Sequence, residues 1–267
     1  MSNPDQIESF LANYDQNQQI IIKKFISKFD RIKQKPIDAI NRGPHAVGDT
    51  FEHELGLKMS PKKTPDFERL IEIKSRASKS ALTLFTKYLD DPKTAHDDIR
   101  ENYGEKNDTQ TKKRFYASIS MGTENKWNKV YKGKVLMRLE KVDFDEKKIF
   151  LTIKDDPQKF YFSFNKIEEI LHRKLQLIAI VNAKKIEKNN ELLFQYFECF
   201  LVGGWNIEKF VELVNNRKMQ YDFKTGNNQS GKGIKDEHDH GPGFRLYNSM
   251  IKENKLKEIF QYVVKLD

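Results

Sequence analysis

Length and charge set the first limits on what this chain does. Its 267 residues are enough for one large domain or two smaller lobes around a sizeable core. There are 48 lysine and arginine residues against 39 aspartate and glutamate residues, a formal charge of +9. A surplus of that size favours a polyanionic partner, most commonly nucleic acid, although many basic proteins simply carry solvated lysines.

Cysteine content and apolar stretches exclude other classes. Cys199 is the only cysteine, so an intrachain disulfide is impossible and a reducing compartment fits. Residues 1–6 lack the basic and apolar pattern of a secretory signal, and the most apolar stretch, 175–183, is too short to span a membrane. We therefore expect a cytoplasmic protein without a membrane partner.

The predicted elements alternate between helices and strands. Apolar residues recur with helical spacing from Ile20 to Phe29 and end before Lys35-Pro36, and from Phe67 the pattern changes to short β-rich segments. We predict helices over residues 20–29, 47–57, 165–171 and 207–216 and near Met250, strands over 70–74, 82–86, 115–121, 134–142, 148–153, 175–183, 192–201, 221–223 and 259–266, turns at 143–146 and 188–190, and a mixture of helix and loop over 90–113. The fold class that follows is mixed α/β.

The segment from Pro65 to Lys74 carries the candidate chemistry. Side chains alternate along a strand, so Glu72 and Lys74 share a face, and a hairpin would bring Asp66 close to Glu72. These two carboxylates, Asp66 and Glu72, offer the oxygen ligands that Mg²⁺ requires. The metal would polarise a scissile phosphate, while Lys74 would orient or deprotonate the attacking water. The combination suits hydrolysis of a phosphodiester bond.

The same segment also has a plainer interpretation. Any half-exposed strand can alternate charged and apolar residues, so the pattern of Asp66, Glu72 and Lys74 is weak by itself. Pro65 before Asp66, the basic charge and the polar helix just upstream strengthen it. Glu52 on that helix could reach the same metals, although a single helical glutamate is more often solvated.

Residues 226–243 form a long polar segment with five glycines, which is typical of a functional or a disordered loop. Lysines and amides bind phosphates and base edges, aspartate accepts from cytosine N4, and arginine makes bidentate contacts to guanine. The candidate DNA-binding residues in and around it are Lys224, Ser230, Lys232, His238, Asp239, His240 and Arg245. A metal site at the two histidines lacks further ligands nearby, and a phosphate cradle lacks the Gly-Lys-Ser/Thr ending.

Several short segments occur in the order found in a known family. They are Gly48-Asp49-Thr50-Phe51-Glu52, Pro65-Asp66-Phe67, Ile71-Glu72-Ile73-Lys74-Ser75, Ser80-Ala81-Leu82-Thr83-Leu84-Phe85-Thr86-Lys87, Asn102-Tyr103-Gly104, Phe162-Ser163-Phe164, Lys174-Leu175 to Val181, Ser230-Gly231-Lys232, His238-Asp239-His240-Gly241 and Phe244-Arg245. Together they resemble the MvaI/BcnI group of restriction endonucleases, relatives of the mismatch-repair nicking enzyme MutH within the PD-(D/E)XK nuclease fold. The likeness covers most of the chain after about residue 47 and is closest to MvaI.

The resemblance implies a set of roles. Asp66, Glu72 and Lys74 match the catalytic triplet, Asp66 and Glu72 bind the metal, and Glu52 is the accessory acid on the preceding helix. It further implies a Mg²⁺-dependent monomer of two lobes, with duplex DNA in the cleft between them and one active site that cuts one strand at a time. A cognate DNA methyltransferase is expected in the same system, with no stable protein partner.

The resemblance also suggests how the chain is divided and where it departs from the family. Residues 1–46 form a helical N-terminal segment, and residues 47–267 form the nuclease core. Within that core, a catalytic lobe covers about 47–90 and recognition elements cover 218–248. The gap from Asp66 to Glu72 is one residue longer than in MvaI, so we expect a β-bulge to keep the carboxylates converging.

The recognition segment departs most from MvaI. Lys224 stands where MvaI has an arginine, and Asn228 and Gln229 stand where it has a tyrosine and a histidine. The segment from His238 to Arg245 is kept, so base recognition by His238, Asp239, His240 and Arg245 is favoured. We therefore expect a related target that contains G and C and is nearly palindromic.

Three functions remain open at this point. The first is a type II restriction endonuclease, and the second is a MutH-like nicking nuclease that answers to mismatch repair. The third is a DNA-binding module without catalysis, which the presence of Asp66, Glu72 and Lys74 disfavours. A methyltransferase gene next door would separate the first two, and cleavage of plasmid DNA with Mg²⁺ would exclude the third.

Overall fold

The computed structural model describes residues 4–57, 64–77, 81–105, 113, 115–123, 136–225 and 241–267. The helices are α1 (Pro4–Leu11), α2 (Gln16–Ile32), α3 (Ala46–Glu54), α4 (Ala95–Tyr103), α5 (Phe164–Lys174), α6 (Ile207–Asn215) and α7 (Glu253–Ile259), with a short 3-10 helix at Asn248–Met250. The strands are β1 (Ile37–Asp38), β2 (Glu72–Arg76), β3 (Leu82–Thr86), β4 (Phe115–Ile119), β5 (Met137–Asp143), β6 (Lys148–Ile153), β7 (Phe160–Ser163), β8 (Leu177–Lys188), β9 (Glu191–Gly203), β10 (Met219–Thr225), β11 (Gly243–Leu246) and β12 (Tyr262–Leu266). Across these ranges, no helix combines the length and apolarity needed to cross a membrane.

The chain divides into two compact units. The first unit comprises Met1–Leu82, Glu169–Asn206 and Asn248–Asp267, and the second comprises Thr83–Glu168 and Ile207–Tyr247. The roles predicted for residues 1–46, 47–90 and 218–248 concern function and stay predictions.

The sheet of the first unit places β2 at one edge. Its order is β1-β9-β8-β2, and β12 also pairs with β9. The long strands β8 and β9 are antiparallel and are joined at Asn189 and Asn190, whose φ values of 49° and 63° fit a tight hairpin turn. In contrast, β2 pairs with β8 in parallel, although about a hundred residues separate the two strands in the sequence. The start of β2 therefore lies beside the start of β8.

An aromatic cluster packs the helices of the first unit onto this sheet. The ring centroids of Phe25 in α2 and Phe67 are 5.5 Å apart, and those of Phe51 in α3 and Tyr196 in β9 are 4.9 Å apart. All four side chains are buried. The Tyr196 hydroxyl donates a hydrogen bond of 2.8 Å to the carbonyl of Val47. These contacts fix α3 and the segment just before β2.

The second unit holds two further sheets. One has the order β3-β11-β10-β4, and the other has the order β5-β6-β7. Around β10, the buried rings of Phe162, Tyr221 and Phe244 lie 4.8 to 5.1 Å from one another, centroid to centroid. Alternate residues of β10 therefore point into a core, and the intervening residues point to the opposite, polar face.

Some strand bounds match the sequence prediction and others differ from it. The strands predicted at residues 82–86 and 148–153 are found with those limits. The strand predicted at 70–74 begins later, at Glu72, because the preceding residues form a turn. Elements that the prediction did not name are α1, β1, β7 and β11, which have two to eight residues each and give too short a pattern.

Candidate functional site

A tight turn leads into β2. The amide of Phe67 donates to the carbonyl of Ile71 at 2.9 Å, and the amide of Ile71 donates back to the carbonyl of Phe67 at 3.1 Å. Glu68 and Arg69 between them adopt left-handed φ values of 50° and 58°. The chain therefore reverses over three residues, which returns the strand alongside the residues that precede the turn.

This turn places Asp66 against β2. Its Oδ2 atom accepts a hydrogen bond of 3.0 Å from the amide of Ile73. The expected β-bulge is not found, because β2 pairs with β8 in continuous register over Glu72–Arg76. The turn lies between Asp66 and Glu72, and its two left-handed residues change the chain direction without disturbing the strand.

Glu72 is the most buried charged residue of the site, with 1% of its surface exposed. Its Oε1 atom lies 2.7 Å from Nζ of Lys74 and 3.1 Å from Nζ of Lys174. Its Oε2 atom is buried and has no hydrogen-bond partner within the protein. Burial raises the pKa of this carboxyl, while Lys74 opposes the increase and Asp66 adds to it. The sequence prediction that Glu72 and Lys74 share a face is confirmed.

Glu52 lies on α3, which packs against β2. Burial first, and then the charges of Asp66 and Asp49, raise the pKa of Glu52 to about 7 against the opposing charge of Lys74. The structure thus brings all four predicted residues, Glu52, Asp66, Glu72 and Lys74, into one electrostatic neighbourhood.

Lys174 is a member of this neighbourhood to which the sequence analysis gave no role. It is the last residue of α5, and its ammonium group binds the same carboxylate oxygen as that of Lys74. The position follows from the parallel pairing of β2 with β8, since Lys174 lies just before β8. The sequence signal was limited to the family likeness around Lys174-Leu175.

The donor set fits a hard divalent cation. Glu72 and Asp66 supply carboxylate oxygens, and the Glu72 Oε2 atom has no protein donor to satisfy it. Within the described ranges, no three His, Cys, Asp or Glu side chains are grouped as a metal site. Mg²⁺ commonly uses only one or two carboxylates and completes its shell with water and substrate phosphate, so two carboxylates are sufficient.

A second group of charged residues lies on the polar face of β10 in the second unit, and we name it the Asp222 cluster. Asp222 is 3% exposed. Its Oδ1 atom accepts hydrogen bonds from Ser118 Oγ at 2.6 Å and from Gln220 Nε2 at 2.8 Å. Its Oδ2 atom accepts a hydrogen bond from Arg245 Nη1 and lies 3.4 Å from Lys224 Nζ. Two predicted DNA-binding residues, Lys224 and Arg245, thus meet at one carboxylate.

The other predicted DNA-binding residues fall outside the described part of the chain. They are Ser230, Lys232, His238, Asp239 and His240, all within residues 226–240. Their assignment stays a prediction.

The chain is similar to known restriction endonucleases in sequence and in fold. The family model described as the MvaI/BcnI restriction endonuclease family matches residues 26–260. The structure of restriction endonuclease MvaI in complex with cognate DNA substrate is similar at 24% sequence identity, with a TM-score of 0.79 over 91% of this chain and 96% of that chain. The structure of MvaI in the absence of DNA gives 23% identity and a TM-score of 0.54 over 92% of this chain and 98% of that chain. No curated protein sequence matches the chain. The predicted fold class, mixed α/β of the PD-(D/E)XK type, is confirmed.

Proposed function

The chain belongs to the MvaI/BcnI restriction endonuclease family, and we propose that it is a Mg²⁺-dependent type II enzyme that cuts duplex DNA. Its target on this proposal is a short, nearly palindromic sequence containing G and C. The observation that carries the proposal is Glu72, a buried carboxylate with two lysines at one oxygen and an unsatisfied second oxygen. The likeness to MvaI bound to its cognate DNA supports DNA as the substrate.

Asp66 and Glu72 are the residues that would hold Mg²⁺. Asp66 is anchored to the amide of Ile73, and Glu72 is fixed at the start of β2, so neither carboxylate needs to be ordered when the ion arrives. When bound, Mg²⁺ supplies Lewis-acid polarisation of the scissile phosphate and charge stabilisation of the leaving oxygen.

The two lysines provide fixed positive charge at the same carboxylate. Lys74 orients the attacking water and offsets the negative charge that develops on the phosphate. Lys174 adds a second cation at Glu72 from a different element, which favours the ionised carboxylate in spite of its burial. Glu52, whose pKa is raised to about 7 by burial first and by Asp66 next, can exchange a proton close to neutral pH.

On this proposal, DNA recognition belongs to cationic residues of the Asp222 cluster and to the candidate residues of 226–240. Lys224 and Arg245 contact phosphates and base edges together with the predicted Ser230, Lys232, His238, Asp239 and His240. We propose that the enzyme acts as a monomer with one active site, so that the two strands are cut in successive events. A DNA methyltransferase of the same specificity would protect the host.

Digestion of a supercoiled plasmid tests the function. With Mg²⁺ we expect nicked circles first and linear DNA later, because one active site cuts one strand at a time. With EDTA in place of Mg²⁺ we expect no cleavage. Run-off sequencing of the digest should then show one short recurring sequence at every cut.

Two outcomes contradict the proposal. Intact plasmid at all Mg²⁺ concentrations would leave a DNA-binding module without catalysis. Nicked circles that never become linear would indicate the MutH-like nicking activity instead.

A further inference from the structure

We infer that Asp222 is a positioning residue that holds the Arg245 guanidinium in the orientation with which Arg245 distinguishes target from unrelated DNA. The inference rests on the proposed function, because it takes Arg245 to be a DNA contact. It goes beyond that function by assigning a role to Asp222, an acidic residue that does not itself attract DNA phosphates. The sequence analysis did not name Asp222 as a candidate.

The strand register explains why these side chains meet. Gln220, Asp222 and Lys224 are alternate residues of β10 and share its polar face. Arg245 on β11 stands opposite Gln220, and Ser118 on β4 stands opposite Asp222. Three strands therefore bring one acid, two bases and two neutral donors to the same patch of sheet.

The carboxylate of Asp222 is more deeply buried than the cations that it binds. The Asp222 side chain is 4% exposed, whereas those of Arg245 and Lys224 are 20% and 36% exposed. The acid thus lies at the base of the patch and the cations reach further towards solvent. A macromolecular polyanion meets the cations first, so Asp222 acts through them.

The hydrogen bonds at Asp222 fix its orientation. Burial opposes its ionisation, but the hydrogen bond from Ser118 and the charge of Arg245 outweigh that effect and lower the pKa of Asp222. Ser118 and Gln220 occupy Oδ1, while Oδ2 receives Nη1 of Arg245. The carboxylate is consequently a rigid, charged acceptor.

Such an acceptor favours recognition by restricting a flexible side chain. A bidentate contact to a base edge requires a defined orientation of the planar guanidinium, and the hydrogen bond from Nη1 to Asp222 restricts that orientation. Ordering the side chain before DNA arrives reduces the entropy lost on binding. Loss of Asp222 should therefore weaken discrimination between sequences more than it weakens attraction to phosphate.

A binding experiment with a double-mutant cycle tests the inference. Wild type first selects its preferred sequence from a randomised duplex library, with Ca²⁺ in place of Mg²⁺ so that the DNA stays intact. Dissociation constants are then measured for that duplex and for a scrambled duplex of equal composition. The variants are Asp222→Asn, Arg245→Ala and the double mutant, and Glu212→Gln controls for loss of a negative charge at an exposed ion pair of the same unit.

The expected result is a fall of about tenfold in the ratio of target to scrambled affinity for Asp222→Asn, with scrambled binding retained or slightly stronger. The double mutant should discriminate no worse than Arg245→Ala, because Asp222 acts through that side chain. If Asp222→Asn fails to fold by its thermal melting curve, Ser118→Ala provides the test, since it removes one donor that orients the carboxylate and should lower the ratio less.

Three outcomes overturn the inference. A wild type that enriches no sequence overturns the proposed function and this inference with it. A wild type that enriches a sequence, with Asp222→Asn discriminating equally well, overturns the inference alone. Losses that add in the double mutant also overturn it, because they make Asp222 an independent contact.

Discussion

Glu72 in the first unit and Asp222 in the second are both buried carboxylates that bind two cationic side chains, yet their pKa values shift in opposite directions. Burial raises the pKa of Glu72 in spite of Lys74 and Lys174. For Asp222, the opposing hydrogen bonds and charges prevail over burial, and the pKa falls. The difference lies in the donors around each group, since both are almost fully removed from solvent.

The comparison shows how hydrogen bonding separates two uses of a buried acid. Both oxygens of Asp222 have donors, among them Ser118 and Gln220. Glu72 receives its lysines at Oε1 alone and keeps Oε2 without a protein partner. A satisfied carboxylate positions its neighbours, and one with an unsatisfied oxygen is suited to bind a ligand such as a metal ion.

The largest effect is expected at Glu72. Glu72→Gln keeps the shape but removes the charge, so plasmid cleavage with Mg²⁺ should fall by about a thousandfold or more while binding of target DNA is largely kept. Single-turnover cleavage and gel-shift titration measure the two effects. Glu68→Gln, at an exposed carboxylate in the adjoining turn, is the matched control and should cut normally. Cleavage at the wild-type rate by Glu72→Gln would refute the active-site assignment.

A smaller effect on rate is expected at Lys174. Lys174→Ala removes one of two cations from Glu72, and the cleavage rate should fall by about 10- to 100-fold with little change in target affinity. Arg173→Ala, an exposed neighbour on the same helix, should retain the wild-type rate. If Lys174→Ala cleaves DNA as fast as Arg173→Ala and wild type, Lys174 has no part in the reaction and only pairs with Glu72.

In the second unit, the effect should be on specificity. Arg245→Ala should weaken binding of target relative to random DNA by about 1–3 kcal/mol, the range expected for one bidentate contact to a base. Competition gel-shift assays with the two duplexes give this difference directly. An equal loss on both duplexes would assign Arg245 to a phosphate and remove its role in recognition.

The smallest effect concerns stability and its pH dependence at Glu52. Its pKa of about 7 in the folded protein lies above the ordinary value of 4.5, chiefly through burial and then through Asp66. The folded state therefore binds more protons than the unfolded state between these values, and the contribution of Glu52 to stability is lost as pH rises from about 4.5 to about 7.

Glu52→Gln should remove that loss. In EDTA, the free energy of unfolding of the variant relative to that of wild type should increase by about 1–2 kcal/mol when the pH is raised from 4.5 to 8. This figure allows for the partial exposure of the side chain. Urea denaturation at the two pH values measures the gain. Glu54→Gln, an exposed position on the same helix, should show little change, and an equal gain in both variants would locate the effect elsewhere.

Local patterns in the sequence were enough to predict the parts of the site that lie within one element. Alternation along β2 placed Glu72 and Lys74 on one face, and the contact of 2.7 Å between them agrees. The same logic did not find the turn at Glu68 and Arg69, because two consecutive left-handed residues other than glycine have no strong sequence signature.

Contacts between distant elements were beyond the reach of the sequence. Lys174 reaches Glu72 because β2 pairs in parallel with β8 across about a hundred residues. The Asp222 cluster requires three strands, one of them only four residues long and preceded by residues 226–240. No periodicity within a short window contains that information, since it depends on how strands pair in the folded chain.

The metal-binding role of Glu72 is tested most directly by titration with Mn²⁺, a paramagnetic cation that also prefers oxygen ligands. Electron paramagnetic resonance measures free Mn²⁺ in the presence of protein and already cleaved target duplex. We predict that wild type and Glu68→Gln bind Mn²⁺ equally and that Glu72→Gln binds it about tenfold or more weakly. Equal affinity in all three proteins would contradict the assignment of the unsatisfied Glu72 oxygen as a metal ligand.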